Sequence, residues 1–376
     1  MRFRVERDVL ADAVAWAARS LPARPPVPVL AGLMLDAADG RLVLSSFDYE
    51  VSARVEVPAE VTEAGAALVS GRLLADISRS LPSRPVDVAT DGSKVVVTCG
   101  SSRFTLLTLP VEDYPALPEM PGASGSLHGD AFAAAVAQVS IAAGRDDTLP
   151  VLTGVRLEIE GSTITMAATD RYRLAVRELA WSPEQTGLEA IALVPARTLA
   201  DTAKALANAD KVTVALATPG AGEGLVGFEG SGRRTTSRLL DGEFPKYKSL
   251  LPAESATVAT VSTAGLVESV RRVALVAERN TPIRLSFSAG EVTLEAGSGD
   301  EAQASESLDA TLDGDDISIA FNPAYLLDGL GALGAEHAEL RFTAPTRPAV
   351  LAGKDSAEAA AGDAYRYLLM PVRLSG

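Results

Sequence analysis

The sequence predicts an α+β fold built from three copies of one domain, each with two helices set against antiparallel strands. Three observations predict it: a long internal repeat, six segments of helical periodicity that fall two to a repeat, and alternating runs bounded by turn residues between them. The repeat opens at Pro28, Pro150 and Pro282, each followed by Val or Ile, and each copy runs through a strand pair to an aspartate, Asp48, Asp170 or Asp300. Its period is far too long for a solenoid unit, so the expected domains are residues 1–121, 122–252 and 253–376.

The first helix of each copy is expected at Arg7–Ser20, Gly129–Ala143 and Thr263–Ala277. Val9, Ala13, Trp16 and Ala17 give the first its apolar stripe; Phe132, Val136 and Val139, then Leu266, Val270, Val273 and Ala274, serve the others. The second helices start near Ser70, Val194 and Asn322, the last two with a proline at the start, where a missing N–H costs least. Strands are expected at Arg41–Ser46, Val86–Ala89, Lys94–Cys99, Thr163–Ala168, Lys211–Leu216, Glu291–Glu295 and Tyr365–Leu369. Linkers fall at Pro115–Ser126 and Pro245–Ala256, each after an acidic residue and an aromatic ring, Asp113-Tyr114 and Glu243-Phe244. The glycine-rich Pro219–Gly232 lacks the Gly-Lys-Ser/Thr of a phosphate cradle and reads as a long hairpin loop; Gly353–Ala364 reads as a loop before the last strand.

Composition narrows the function. A hydrophobic share of 47% fits a folded chain, and Met1–Val5 alternates polar and apolar residues, so neither a signal peptide nor a membrane anchor is expected. Cys99 alone cannot form an intrachain disulfide and fits a reducing, cytoplasmic setting as a small buried hydrophobe. With only His128 and His337 beside it, a zinc site has almost no ligands to draw on, and no metal or cofactor is expected. The net charge of −15 argues against a nucleic-acid binder, but its distribution reverses that reading. Arg24, Arg72, Arg79, Arg145, Arg197, Lys204, Arg271 and Arg279 recur on or beside the helices of all three copies, while acidic residues gather in strands and loops. A concave surface of one sign focuses its field even on an acidic molecule.

An enzyme could use Asp48, Asp170 and Asp300 with Arg173, but one aspartate per domain at equivalent positions should not converge, so turn or strand-end roles are expected instead. A three-repeat protein-binding scaffold is the more serious rival. Met166-Ala-Ala-Thr-Asp-Arg-Tyr-Arg-Leu174 resembles the "ATDGHRLA"-type segment of the bacterial DNA polymerase III β subunit family, the sliding clamps. Arg24-Pro25, Pro28–Leu30, Asp241–Tyr247, Asn322–Tyr325 and the terminal Met370-Pro-Val-Arg-Leu374 resemble it too, across the whole chain, in an actinobacterial-looking composition.

That resemblance implies a head-to-tail homodimeric ring around double-stranded DNA, bound through phosphates without sequence readout, with the eight basic residues above facing the hole. It implies a peptide pocket for the replicative polymerase's catalytic subunit, the clamp loader, and other polymerases and repair proteins. Carried over residue by residue, the pocket holds Leu152, Thr169, Arg171, Tyr172, Arg173, Leu174, Pro245, Leu250, Asn322, Tyr325, Met370, Pro371, Arg373 and Leu374. Here Arg171-Tyr172 stand where the best-known members have Gly-His, and Ser249 replaces a basic residue. The implied subunit interface sets Phe104 and Leu106 against Leu275 and Val276. The implied protein is cytoplasmic, associated with the nucleoid, without catalytic residues.

Overall fold

A computed structural model describes residues 1–217, 224–277, 281–297 and 302–373. Arg279, Asp300 and Leu374 lie outside these residues.

The expected helices form as α1 (Arg7–Ala17), α2 (Gly71–Ser80), α3 (Gly129–Ser140), α4 (Ala196–Ala205), α5 (Thr263–Val273) and α6 (Pro323–Ala332). In α1 and α5 the last expected turn tightens into 3₁₀ geometry, at Ala18–Ser20 and Ala274–Val276. Side chains start two of them: Ser262 Oγ accepts the Gly265 N–H of α5, and Asn322 Oδ1 accepts the Ala324 and Tyr325 N–H groups of α6. Leu266, Val270 and Val273 are buried on α5, as the periodicity requires.

The three repeats are not three separate sheets. The chain forms two compact units, one of Met1–Ala133, Ser182–Thr186 and Asp201–Leu239, the other of Ala134–Trp181, Gly187–Ala200 and Leu240–Gly376. In the first, strand Val51–Pro58 of repeat one pairs antiparallel with Arg233–Arg238 of repeat two, so that Ser52 faces Thr236. In the second, strand Arg173–Ala180 of repeat two pairs with Tyr365–Leu369 of repeat three, so that Leu174 faces Leu368. Each sheet therefore runs through a repeat boundary. The last described strand also pairs with Ala349–Lys354.

The core of the first unit packs Leu10, Val14 and Trp16 of α1 and Leu74 and Ile77 of α2 onto Leu33, Leu35, Leu42, Leu44, Val95 and Val97. Cys99 is fully buried there, its Sγ directed to the Pro82 carbonyl at 3.3 Å.

Three loop expectations are corrected. Ala123–Leu127, which overlaps the end of the expected first linker, is a strand, and so is Leu225–Gly230, inside the expected glycine-rich loop. In the latter Val226 and Phe228 point inward between glycines; Phe228 stacks on Phe132 at 5.5 Å, and at Gly227 a Cβ would come within 2.8 Å of Met120. Gly353 and Lys354 likewise extend a strand, and the Gly362 N–H returns to the Gly353 carbonyl at 3.0 Å.

Candidate docking cleft and nucleic-acid surface

The strands Thr163–Thr169 and Arg173–Ala180 are joined by a turn that Asp170 builds. Its Oδ1 accepts the N–H groups of Tyr172 and Arg173 at 3.0 and 3.1 Å, and Arg171 takes φ 78°. Repeat one uses the same device: Asp48 Oδ1 accepts from Glu50 and Val51 at 2.9 and 2.7 Å, and Tyr49 sits at φ 75°. These aspartates make turns. A bulky residue at positive φ is an outlier in both.

Arg173 is the polar centre of the cleft. It is 5% exposed, donates from Nε to Asp170 at 3.0 Å and from Nη1 to Asp328 at 2.5 Å, and lies 4.3 Å from the Tyr325 ring centroid. Burial alone would disfavour its charge, but the hydrogen bond to Asp328 and the neighbouring Tyr367 and Asp170 outweigh that and raise its pKa. The Tyr325 ring stacks on Tyr172 at 6.4 Å, and Tyr172 is 59% exposed. The chain end passes beside this stack, with the Met370 N–H on the Tyr172 carbonyl at 2.9 Å and the Val372 N–H on the Ala320 carbonyl at 2.8 Å. Asn322 spends its side-chain oxygen capping α6, where it accepts the Ala324 and Tyr325 N–H groups.

The floor is apolar. Leu174 and Leu368 pack with Ala167, Val176, Leu193 and Val350, and Phe244 and Tyr247 cover them from the segment after residue 240. That strap is pinned by a carboxylate: Glu158 accepts from the Tyr247 hydroxyl at 3.0 Å, from Lys248 Nζ at 2.9 Å and from Arg156 Nε at 2.7 Å. Burial pushes the Glu158 pKa up, but the three donors together bring it below its ordinary value. Pro245 lines a pocket of about 410 Å³ with Arg156, Glu158, Phe244 and Tyr247. Thr169 is buried, its hydroxyl on the Arg173 carbonyl at 2.7 Å; Leu152 and Pro371 are half-buried. Arg171, Leu250, Met370 and Arg373 are exposed.

Outside the cleft, Arg24, Arg72, Arg79, Arg145, Arg197, Lys204 and Arg271 are all exposed. Arg79 is committed to Asp76 one helical turn away and Arg72 reaches the Pro22 carbonyl at 3.1 Å, whereas Arg24, Arg145, Arg197, Lys204 and Arg271 form no ion pair among the described residues. Strand Ser102–Leu109 bonds along Lys94–Cys99, but on its other edge meets Gly65–Ser70 only at Thr108 and Leu109. Leu106 is 2% exposed and packs in the first unit's core, because alternation turns it inward with Phe104 and leaves Leu107 outside at 70%. Leu275 is 83% exposed and Val276 half-buried.

Residues 1–118, 126–246 and 248–373 match the N-terminal, central and C-terminal domains of the DNA polymerase III beta subunit. The chain belongs to that family. It is 67% identical to the beta sliding clamp of Streptomyces coelicolor over the full length of both, and 58% identical to that of Micrococcus luteus over 83% of this chain and all of the relative. Among solved structures, the Pseudomonas aeruginosa sliding clamp bound to griselimycin superposes with a TM-score of 0.91 at 29% identity, covering both chains fully. The function is that of a beta sliding clamp, the processivity factor of DNA polymerase III.

For a clamp built of repeats, the two boundaries inside the chain are directly comparable. The Arg238 N–H meets the Glu50 carbonyl at 2.9 Å as Met370 meets Tyr172, and Ser52–Thr236 stand in register where Leu174–Leu368 do. The Ser52 and Thr236 hydroxyls are buried and bonded to each other at 2.5 Å. The backbone is repeated; the apolar floor is not. The second boundary carries a buried apolar pair where the first carries a buried hydroxyl pair.

Proposed function

We propose that two copies of this clamp close head to tail into a ring that encircles duplex DNA and slides along it without reading sequence. Its domains are residues 1–121, 122–252 and 253–376. Arg24, Arg72, Arg79, Arg145, Arg197, Lys204, Arg271 and Arg279 face the hole and contact phosphates, and five of them are supported by being exposed and unpaired among the described residues. Phosphate contacts bring affinity without specificity, which is what sliding needs. Processivity then comes from topology, and no bond-breaking step is asked of the chain.

The cleft around Arg173 and Leu174 is the docking site for short apolar-anchored peptides of the replicative polymerase's catalytic subunit, the clamp loader, and other polymerases and repair proteins. An apolar floor with a few oriented polar groups anchors one or two side chains of such a peptide. The protein works in the cytoplasm at the nucleoid; among the described residues no helix is long and apolar enough to cross a membrane.

The observation that carries the ring is a pair of half-open strand edges. Residues 102–107 lack a partner on one side among the described residues, and so does the first half of strand Ala304–Asp313, which bonds there only to Glu291–Ala296. Pairing one edge with the other across subunits satisfies both and covers Leu107 and Leu275. Phe104 and Leu106 support this interface from the core side, and Val276 flanks Leu275. Replacing Leu275 and Val276 by charged residues should turn a dimer into a monomer in sedimentation; an intact dimer would place the interface elsewhere.

A further inference from the structure

We propose that Asp328 is a positioning residue of the docking cleft, setting the plane of Arg173 and through it the aromatic wall made by Tyr325 and Tyr172. The inference rests on the docking role given above and adds a residue that acts through Arg173.

A guanidinium on one hydrogen bond can still turn about its Cδ–Nε bond; two carboxylates on different nitrogens fix its plane. Arg173 has two, Asp170 on Nε at 3.0 Å and Asp328 on Nη1 at 2.5 Å. Asp170 is already committed to the turn through two backbone N–H groups, so the Asp328 bond is the one that can be removed without unmaking local structure. Fixing the plane holds the guanidinium over Tyr325 at 4.3 Å, a cation–π contact in a largely desolvated site. Tyr325 is further held by the Tyr367 hydroxyl on its carbonyl at 2.8 Å, so its ring faces Tyr172.

Asp328 lies three residues after Tyr325 on α6, on the same helix face, and its side chain is 47% exposed. It therefore has solvent to fall back on, whereas Arg173, at 6%, does not. Loss of Asp328 leaves a buried guanidinium held by Asp170 and the neighbouring Tyr367 hydroxyl but without its second carboxylate, so its plane is less firmly set and the wall of the cleft loses part of its backing. Tyr172, exposed and next to the strained Arg171, is the part of the wall that moves.

The test is a fluorescence-anisotropy titration of a labelled peptide copied from the clamp-binding segment of the replicative polymerase. Asp328→Asn should weaken binding by about tenfold, the scale of one charge-assisted hydrogen bond, mainly through faster dissociation. Asp328→Glu keeps the charge on a longer arm and should lose less, about threefold. In a Tyr172→Ala background, Asp328→Asn should have little further effect, because the wall it supports is gone. A purely structural role would instead lower the melting temperature and multiply with the effect of Tyr172→Ala. Wild-type affinity in Asp328→Asn, or independent losses in the double variant, would overturn the proposal. If the Asn variant does not fold, unchanged affinity in Asp328→Glu overturns it. Failure of the wild-type protein to bind the peptide would sink the docking role itself, a separate outcome.

Discussion

Shortening Leu174 to alanine tests the floor of the cleft and its energetics together. Leu174 is 1% exposed, faces Leu368 across the sheet and packs under Phe244 and Tyr247. The substitution removes three buried carbons, worth about 0.8 kcal/mol each and so roughly 2.4 kcal/mol of transfer free energy. The strap is pinned by Glu158 and cannot fully collapse into the space, so a cavity term should bring the cost to about 3–4 kcal/mol. The register-equivalent change in the first unit, Ser52→Ala, loses one hydroxyl pair and should cost only about 1 kcal/mol. Hydrogen exchange, resolved by segment, is the assay, because a chain of two units need not unfold in one step. Protection should fall in Arg173–Ala180 and Tyr365–Leu369 and hold in Val51–Pro58, and peptide affinity should drop by at least about tenfold once the floor anchor is removed. Unchanged protection and unchanged affinity would refute the claim that this cluster is both core and floor.

Two further outcomes follow from charge. Neutralising Arg145, Arg197, Lys204 and Arg271 together should weaken DNA association and flatten its salt dependence by roughly 0.9 for each phosphate left without a cation, measured across a salt series; an unaltered slope would place the DNA elsewhere. Glu158 has a depressed folded pKa, so its contribution is present above the unfolded value of about 4.3 and is lost as pH falls through the lower folded value. Exchange protection of residues 243–251 should therefore fall on acidification below about pH 4, and Glu158→Gln should show the loosened strap already at neutral pH.

The fold was largely legible because its signals are periodic. α1, α2, α5 and α6 carry buried stripes of three- and four-residue spacing, and Tyr365–Leu369 forms the strand its sequence predicts. The turn role of Asp48 and Asp170 was legible for the same reason, since a device used twice at one repeat position is structural before it is chemical. What stayed hidden was pairing between distant segments. Nothing in the sequence says that the sheets run across repeat boundaries, or that Ser52 meets Thr236 where Leu174 meets Leu368. Strand Leu225–Gly230 was masked by its glycines, which read as loop although one of them makes room for Met120. Within the proposed cleft, the family resemblance pointed to Arg173, Leu174 and Met370, whereas Asp328 and Glu158 belong to no motif that the sequence displays. Their roles exist only through partners 155 and 89 residues away.

The central claim, retention by encirclement, is tested most directly by loading the clamp with its loader onto nicked circular DNA and onto the same DNA made linear with free ends. At a salt concentration that suppresses direct phosphate binding, gel filtration should show the protein staying with the circle and absent from the linear form, which it leaves by sliding off the ends. Equal retention on both, or equal loss from both, would contradict a closed ring.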